Sequence, residues 1–263
     1  MSDIEKDNAN VQLHSTFSKD NIDKDLVLSQ IRSIDGNIVD ITGDVDEAMK
    51  YALDSEEIEL TDDDAKKLLK KIDIYLLPLI CLLYALQFMD KVSSSYAAIM
   101  GLRTYYNMHG NQYSWVGSAF YLGYLIFEFP ISMCLQRFPV AKMTAFFVII
   151  WGTLLCLHAT PSNYEGFIAL RTLLGIFESA VTPAMVIITG QWYKAEEQFL
   201  RTAFWFACNG FGTIMGSAIA YGLATRDGSY SMEGWKVLFI VVGCMTISVG
   251  FMILFHIPDL PVK

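Results

Sequence analysis

Six apolar stretches, each near the ~20 residues needed to cross the ~30 Å hydrocarbon core of a bilayer, follow one another through the last three quarters of a 263-residue chain. They run roughly over residues 72–102, 114–135, 142–160, 165–190, 200–224 and 235–256. Turn and polar signals fill the gaps: Asn107 to Asn111, Arg137 with Pro139, Pro161 to Asn163, Lys194 to Glu197 and Arg226 to Gly234. In a bilayer the backbone must satisfy its own N–H and C=O groups, and segments of this length do so as helices. The expected fold is all-α and integral to the membrane, with six transmembrane helices.

Charge is distributed in a way that isolates the remaining residues. The net charge is -9, but residues 1–71 hold 18 Asp/Glu against 9 Lys/Arg while the remainder is balanced. Residues 1–60 are polar and short of aromatics, too poor in apolar surface to form a core, and are read as a disordered cytoplasmic tail. Residues 61–71 form a basic amphipathic segment: Thr61 and Asp64 resemble a capping box, and Lys66, Lys67, Lys70 and Lys71 alternate with Leu68 and Leu69. Residues 72–263 make up the six-helix membrane domain. The chain's start has neither the basic nor the apolar region of a secretory leader.

Basic residues near the segment ends set the orientation. With the N-terminus inside, Lys66, Lys67, Lys70, Lys71, Arg137, Lys142, Lys194, Arg201 and Lys263 lie on the cytoplasmic side, against Arg103, Arg226 and Lys236 outside. Both termini are then cytoplasmic.

Charges within the spans are the strongest functional signal. Arg171 and Glu178 stand seven residues apart in the fourth span, within about 20° of each other on one helix face that also carries Leu174 and Gly175. A charge facing lipid costs at least ~2.5 kcal/mol, so this face meets protein or water. Asp90 and Lys91 lie deep in the first span, Asp90 about 25 Å along the helix from Asp73. Because the fourth span runs the other way, Glu178 falls at a similar depth, with Lys91 and Arg171 on its outer side. Two acids and two bases at one level suit a site that takes an anion and a proton together; a salt-bridge cluster pinning two helices is the competing reading. Glu128, beside Pro130 in the second span, is read as a gating or structural residue, with a place on a proton path as its alternative. Pro183 and the glycines of the fifth span, Gly210, Gly212, Gly216 and Gly222, point to kinking and close helix packing. His158 reads as an interfacial histidine. The five cysteines lack metal-ligand spacing, and there is no phosphate loop and no nucleophile with a His partner. The sequence calls for no cofactor, no metal, no nucleic acid and no enzymatic reaction.

Four motifs in order across the membrane region carry a resemblance. They are Leu86-Gln87-Phe88-Met89-Asp90-Lys91 with Tyr96-Ala97-Ala98 and Gly101-Leu102; Gln112-Tyr113-Ser114-Trp115 with Phe120-Tyr121-Leu122-Gly123-Tyr124 and Phe127-Glu128-Phe129-Pro130; Gln136-Arg137-Phe138-Pro139 with Lys142; and Arg171 to Gly175 to Glu178 with Trp192-Tyr193 and Glu197 to Arg201. Together they resemble the major facilitator superfamily, and within it the fungal allantoate permease branch of the anion:cation symporters. The resemblance implies proton coupling at Asp90 and Glu178 and contact with a substrate carboxylate at Lys91 and Arg171. It implies transport of a small organic anion, carboxylate or vitamin-like, with a proton, in the plasma membrane or alternatively the endoplasmic reticulum or vacuole. The loop from Gln136 to Lys142 departs from the superfamily pattern in lacking its Gly and Asp. Relatives carry twelve spans in two halves, so these six correspond to the N-terminal half, and a second half or a full-length relative is the implied partner. Two readings stay open: a symporter half, or a truncated product or membrane partner without transport of its own.

Overall fold

The computed structural model describes residues 62–226 and 231–258, and the backbone of two short stretches before them. The chain divides into two units, residues 1–59 and 60–263. In the first, β1 (Gln30–Arg32) and β2 (Ile38–Asp40) pair antiparallel, with Ile31 opposite Val39. The rest of the stretch read as a disordered tail, and Thr61 of the capping box, lie outside the described residues.

The second unit is helical. Among the described residues six spans are long and apolar enough to cross a membrane: Asp63–Tyr105, Gln112–Arg137, Val140–Leu157, Tyr164–Trp192, Ala195–Ala224 and Gly234–His256. Two of the six are interrupted, and the residues responsible can be named. The first span consists of α1 (Asp62–Tyr75) and α2 (Leu77–Ala97), separated at Leu76 just before Pro78. Beyond Ala97 it loosens into a π-helical turn, Ala98–Leu102, in which Gly101 takes φ +104°, a conformation closed to most side chains. The fourth span consists of α5 (Tyr164–Glu178) and α6 (Val181–Trp192). Pro183 has no N–H to give the Ser179 carbonyl, and its ring crowds that carbonyl, so the helix breaks immediately after Glu178. The other spans are α3 (Gln112–Arg137), α4 (Val140–Leu157), α7 (Ala195–Ala224) and α8 (Gly234–His256). Pro130 is accommodated inside α3 without breaking it.

The spans pack chiefly as three pairs: α2 with α7, α3 with α5, and α4 with α8. Each pair closes where a glycine lets one backbone touch the other. A Cβ on Gly212 would overlap the Ala85 carbonyl, one on Gly175 the Phe120 carbonyl, and one on Gly243 would lie 2.7 Å from the Gly152 oxygen. Without a hydrophobic drive between helices in lipid, such close approach supplies much of the association energy. The packing role expected for the glycines of the fifth span holds for Gly212 and Gly216. It does not hold for Gly210 and Gly222, which have nothing within 4 Å of an added Cβ.

The two ends of the bundle are fastened differently. At one end Tyr106, Phe167, Trp235 and Phe239 form an aromatic cluster, and the Tyr106 hydroxyl donates to the Pro161 carbonyl at 2.9 Å. At the opposite end Arg201 of α7 grips Asp73 of α1 with both oxygens engaged, at 3.3 and 2.9 Å, and lies over the Tyr193 ring.

Candidate functional site

On α2, Gln87, Asp90 and Lys91 stand at i, i+3 and i+4, so they project from one face. On α5, the buried side is made of Phe167, Arg171, Leu174, Gly175 and Glu178, the stripe that helical periodicity marked out. The close approach of Gly175 to α3 and the break after Glu178 fix where that stripe ends. α2 and α5 thereby bring together the four charges grouped by depth: Asp90, Lys91, Arg171 and Glu178.

Their pairing crosses between helices. The Lys91 ammonium stands 3.5 Å from Glu178 Oε1, and Arg171 Nη1 stands 3.9 Å from Asp90 Oδ1. Arg171 and Glu178 do not pair with each other, because seven residues separate them by about 10 Å along the axis. Asp90, Arg171 and Glu178 are buried, at 1%, 3% and 0% exposure, whereas 24% of the Lys91 side chain is accessible. Of the two cations expected to meet substrate, Lys91 is the accessible one and Arg171 is buried.

Aromatic rings hold the cations where carboxylates do not. Lys91 Nζ lies 5.0 Å from the Phe88 centroid and 5.8 Å from that of Tyr124, and the Arg171 guanidinium lies 5.5 Å from Phe167 and 5.0 Å from Phe239. Each such contact contributes about 0.5–2 kcal/mol, more as water is excluded. Several polar atoms stay without hydrogen bonds despite burial: both ends of the Gln87 amide, both Glu178 oxygens, and Nε and Nη2 of Arg171. A site built only to pin helices would be expected to satisfy these groups, since each buried orphan costs about 1–3 kcal/mol.

Trp151 and Gln87 were not singled out by sequence reasoning. The Trp151 indole N–H, on α4, donates to Asp90 Oδ2 at 2.9 Å. A tryptophan in mid-span needs a partner for its N–H, which was the available signal. Gln87 was legible as the same-face neighbour of Asp90 and Lys91, one turn earlier.

Glu128 is half-buried on α3 and takes no part in the ion pairs of the cluster; its carbonyl accepts from the Ser132 hydroxyl at 2.7 Å. His158 lies at the end of α4 and is fully buried within the protein, its Nδ1 2.7 Å from the Leu154 carbonyl oxygen and its ring against Phe167 and Phe239. The large rings of the aromatic cluster close over it, which the polar neighbours Thr160 and Asn163 in sequence did not suggest. No group of three or more His, Cys, Asp or Glu suited to a metal occurs among the described residues.

Helices paired one with five, two with four and three with six around a buried charge cluster, with two interrupted spans, define a solute-transporter half-bundle. The chain belongs to the Major Facilitator Superfamily, which it matches over residues 80–263. It is 48% identical over 263 residues to an allantoate permease of Saccharomyces cerevisiae, covering 99% of this chain and 48% of that protein. An uncharacterized transporter of Schizosaccharomyces pombe is 52% identical over 219 residues, 83% of this chain and 43% of the relative. A thiamine pathway transporter of S. cerevisiae is 32% identical over 257 residues, 98% of this chain and 48% of the relative. The chain thus spans about half the length of the curated relatives it matches. In fold it is similar to the crystal structure of a bacterial homolog of the human lysosomal transporter Spinster, inward-facing and occupied, with a TM-score of 0.65 at 20% identity, over 71% of this chain and 44% of that one. The matched relatives are permeases and transporters, not enzymes.

Proposed function

We propose that this chain is the N-terminal half of a proton-coupled symporter of small organic anions, with Lys91 and Arg171 meeting the anion and Asp90 and Glu178 serving proton coupling. The observation that carries the reading is the Lys91–Glu178 pair, in which a partly accessible cation is, among the described residues, the sole ion-pair partner of a fully buried carboxylate at 3.5 Å. An arriving carboxylate draws the Lys91 ammonium to itself. Glu178 is then a buried charge without compensation, a state costing several kcal/mol, and a proton relieves it. Anion and proton therefore enter the site together, and the loaded site carries no more charge than the empty one. Glu128, beside Pro130, serves a gating or structural role at the inner half of the second span.

In this fold substrate sits between two six-helix halves that rock against each other, so one half supplies half of the cavity. We take both termini to be cytoplasmic and the membrane to be the plasma membrane. The 48% identity to an allantoate permease makes allantoate the first probe. The test is uptake into liposomes under an imposed proton gradient, with the 263-residue chain alone and with the chain joined to the second half of that permease. Saturable, gradient-driven uptake of allantoate or another labelled carboxylate by the joined protein, and none by the chain alone, is the expected result. Uptake by neither, with both correctly inserted, would favour the second reading, a membrane partner without transport of its own.

A further inference from the structure

The contact between Arg171 and Asp90 is loose for two fully buried opposite charges. At 3.9 Å it lies about 1 Å beyond a charge-assisted N–H···O bond. On the other side of Asp90 its second oxygen, Oδ2, accepts the Trp151 indole N–H at 2.9 Å, while Oδ1, facing Arg171, makes no hydrogen bond. A guanidinium offers donors in a planar fork matched to both oxygens of one carboxylate. Here one oxygen is turned to an indole, and Nε and Nη2 of Arg171 are left without acceptors although buried. Phe167 and Phe239 steady the guanidinium by their faces, which occupies none of those N–H groups.

Among the described residues no other acceptor occupies that fork. The charged and titratable groups around Asp90 are Arg171 and Glu178 from α5 and Lys91 from α2, with the Trp151 indole from α4. Around Arg171 they are Asp90, Glu178, Tyr113 of α3 and His158 at the end of α4. Glu178 has Lys91 as its ion-pair partner among the described residues, at 3.5 Å.

We infer that Trp151 is a positioning residue: by holding Asp90 Oδ2 it prevents Asp90 from closing on Arg171 with both oxygens, and so keeps the Arg171 fork open for the carboxylate of a bound organic anion. The inference rests on the reading of this cluster as an anion site. α4 contributes this one side chain to the cluster's hydrogen bonds. Its neighbour Gly152 is where α4 locks against α8 at Gly243, fixing Trp151 in depth.

The test is nitrogen-15 NMR of the arginine side chains, in detergent, of the 263-residue chain joined to the second half of the allantoate permease, with allantoate as the probe. Arg171 signals are assigned by their absence from Arg171→Lys. In the parent the Arg171 guanidinium is expected to rotate about its Cζ–Nε bond, giving averaged η signals that shift as allantoate is added. In Trp151→Phe, Asp90 closes on the fork: the η signals split and no longer respond to allantoate. Adding Asp90→Asn to Trp151→Phe restores rotation and response, which a purely structural loss would not do. The Arg201 signals, locked by Asp73 at the far end, report whether each variant is folded. Benzothienylalanine at position 151 keeps the ring's volume without its N–H, and gives the same reading should Trp151→Phe not fold. Averaged, allantoate-responsive Arg171 signals in Trp151→Phe or in the benzothienylalanine variant, with Asp90 intact, would overturn the positioning role. A parent whose Arg171 ignores allantoate and a panel of other carboxylates, beside a locked Trp151→Phe, would instead overturn the anion-site reading and leave the Trp151 hold standing.

Discussion

Lys91 and Glu178 face each other across α2 and α5 at 3.5 Å, one partly accessible and the other fully buried. Removing either member leaves the remaining one in a different kind of difficulty, and the first two predictions follow from that asymmetry.

Glu178→Gln, in a protein carrying both halves, is expected to abolish accumulation of the anion against its gradient while exchange of internal for external anion persists. The amide keeps the shape and much of the hydrogen bonding but no longer takes up and releases a proton. Uptake and counterflow measured in the same vesicles decide the matter; accumulation equal to the parent's would make the carboxylate a structural residue.

Lys91→Ala removes the accessible cation and strands Glu178 without a counter-charge. A charge-assisted contact contributes about 1.5–3 kcal/mol, so anion affinity is expected to fall about 10- to 100-fold. Equilibrium binding of labelled allantoate measures it. Unchanged affinity would move the anion site away from Lys91.

Gly175→Ala and Gly222→Ala make a matched pair. A Cβ at Gly175 overlaps the Phe120 carbonyl of α3 and is expected to cost about 1–3 kcal/mol, with Glu178 displaced along with its helix. At Gly222 the space is open, and alanine is expected to be neutral or to gain up to about 1 kcal/mol of helix propensity. Thermal unfolding in detergent ranks the two, and equal melting temperatures would sink the close-packing account of the α3–α5 crossing.

Arg201→Lys tests the fastening of α7 to α1 at Asp73. Arginine gives Asp73 two bonds from a rigid fork and lies over Tyr193 at 5.2 Å, and lysine supplies only one point charge. The pair is still partly exposed, at 13% and 29% of its side chains, which limits the expected loss to about 1 kcal/mol. A lysine variant as stable as the parent would show that the fork geometry contributes nothing.

Orientation is testable in a cysteine-free background. A single cysteine replacing His109, exposed in the loop after the first span, is expected to react with an impermeant reagent from outside intact cells, and one replacing Lys194, exposed between α6 and α7, only after permeabilisation. The reverse pattern would invert the topology.

The number of spans, their approximate limits and the depth of Asp90, Lys91, Arg171 and Glu178 were all readable from the chain, because the bilayer imposes a fixed length per crossing and a heavy penalty on misplaced charge. Periodicity alone also put Arg171 and Glu178 on the buried stripe of α5, and Pro183 marked the break that follows it. Pairing was another matter. That Arg171 answers to Asp90 rather than to Glu178, that Lys91 alone of the four is accessible, and that Trp151 reaches Asp90 from a different helix all depend on how α2, α4 and α5 rotate and close against one another. Those rotations are set by contacts between residues far apart in sequence, such as Gly175 on Phe120, Gly212 on Ala85 and Gly152 on Gly243. A one-dimensional reading gives the depth of a side chain and the face of its own helix; which neighbour that face meets is decided only when the helices pack.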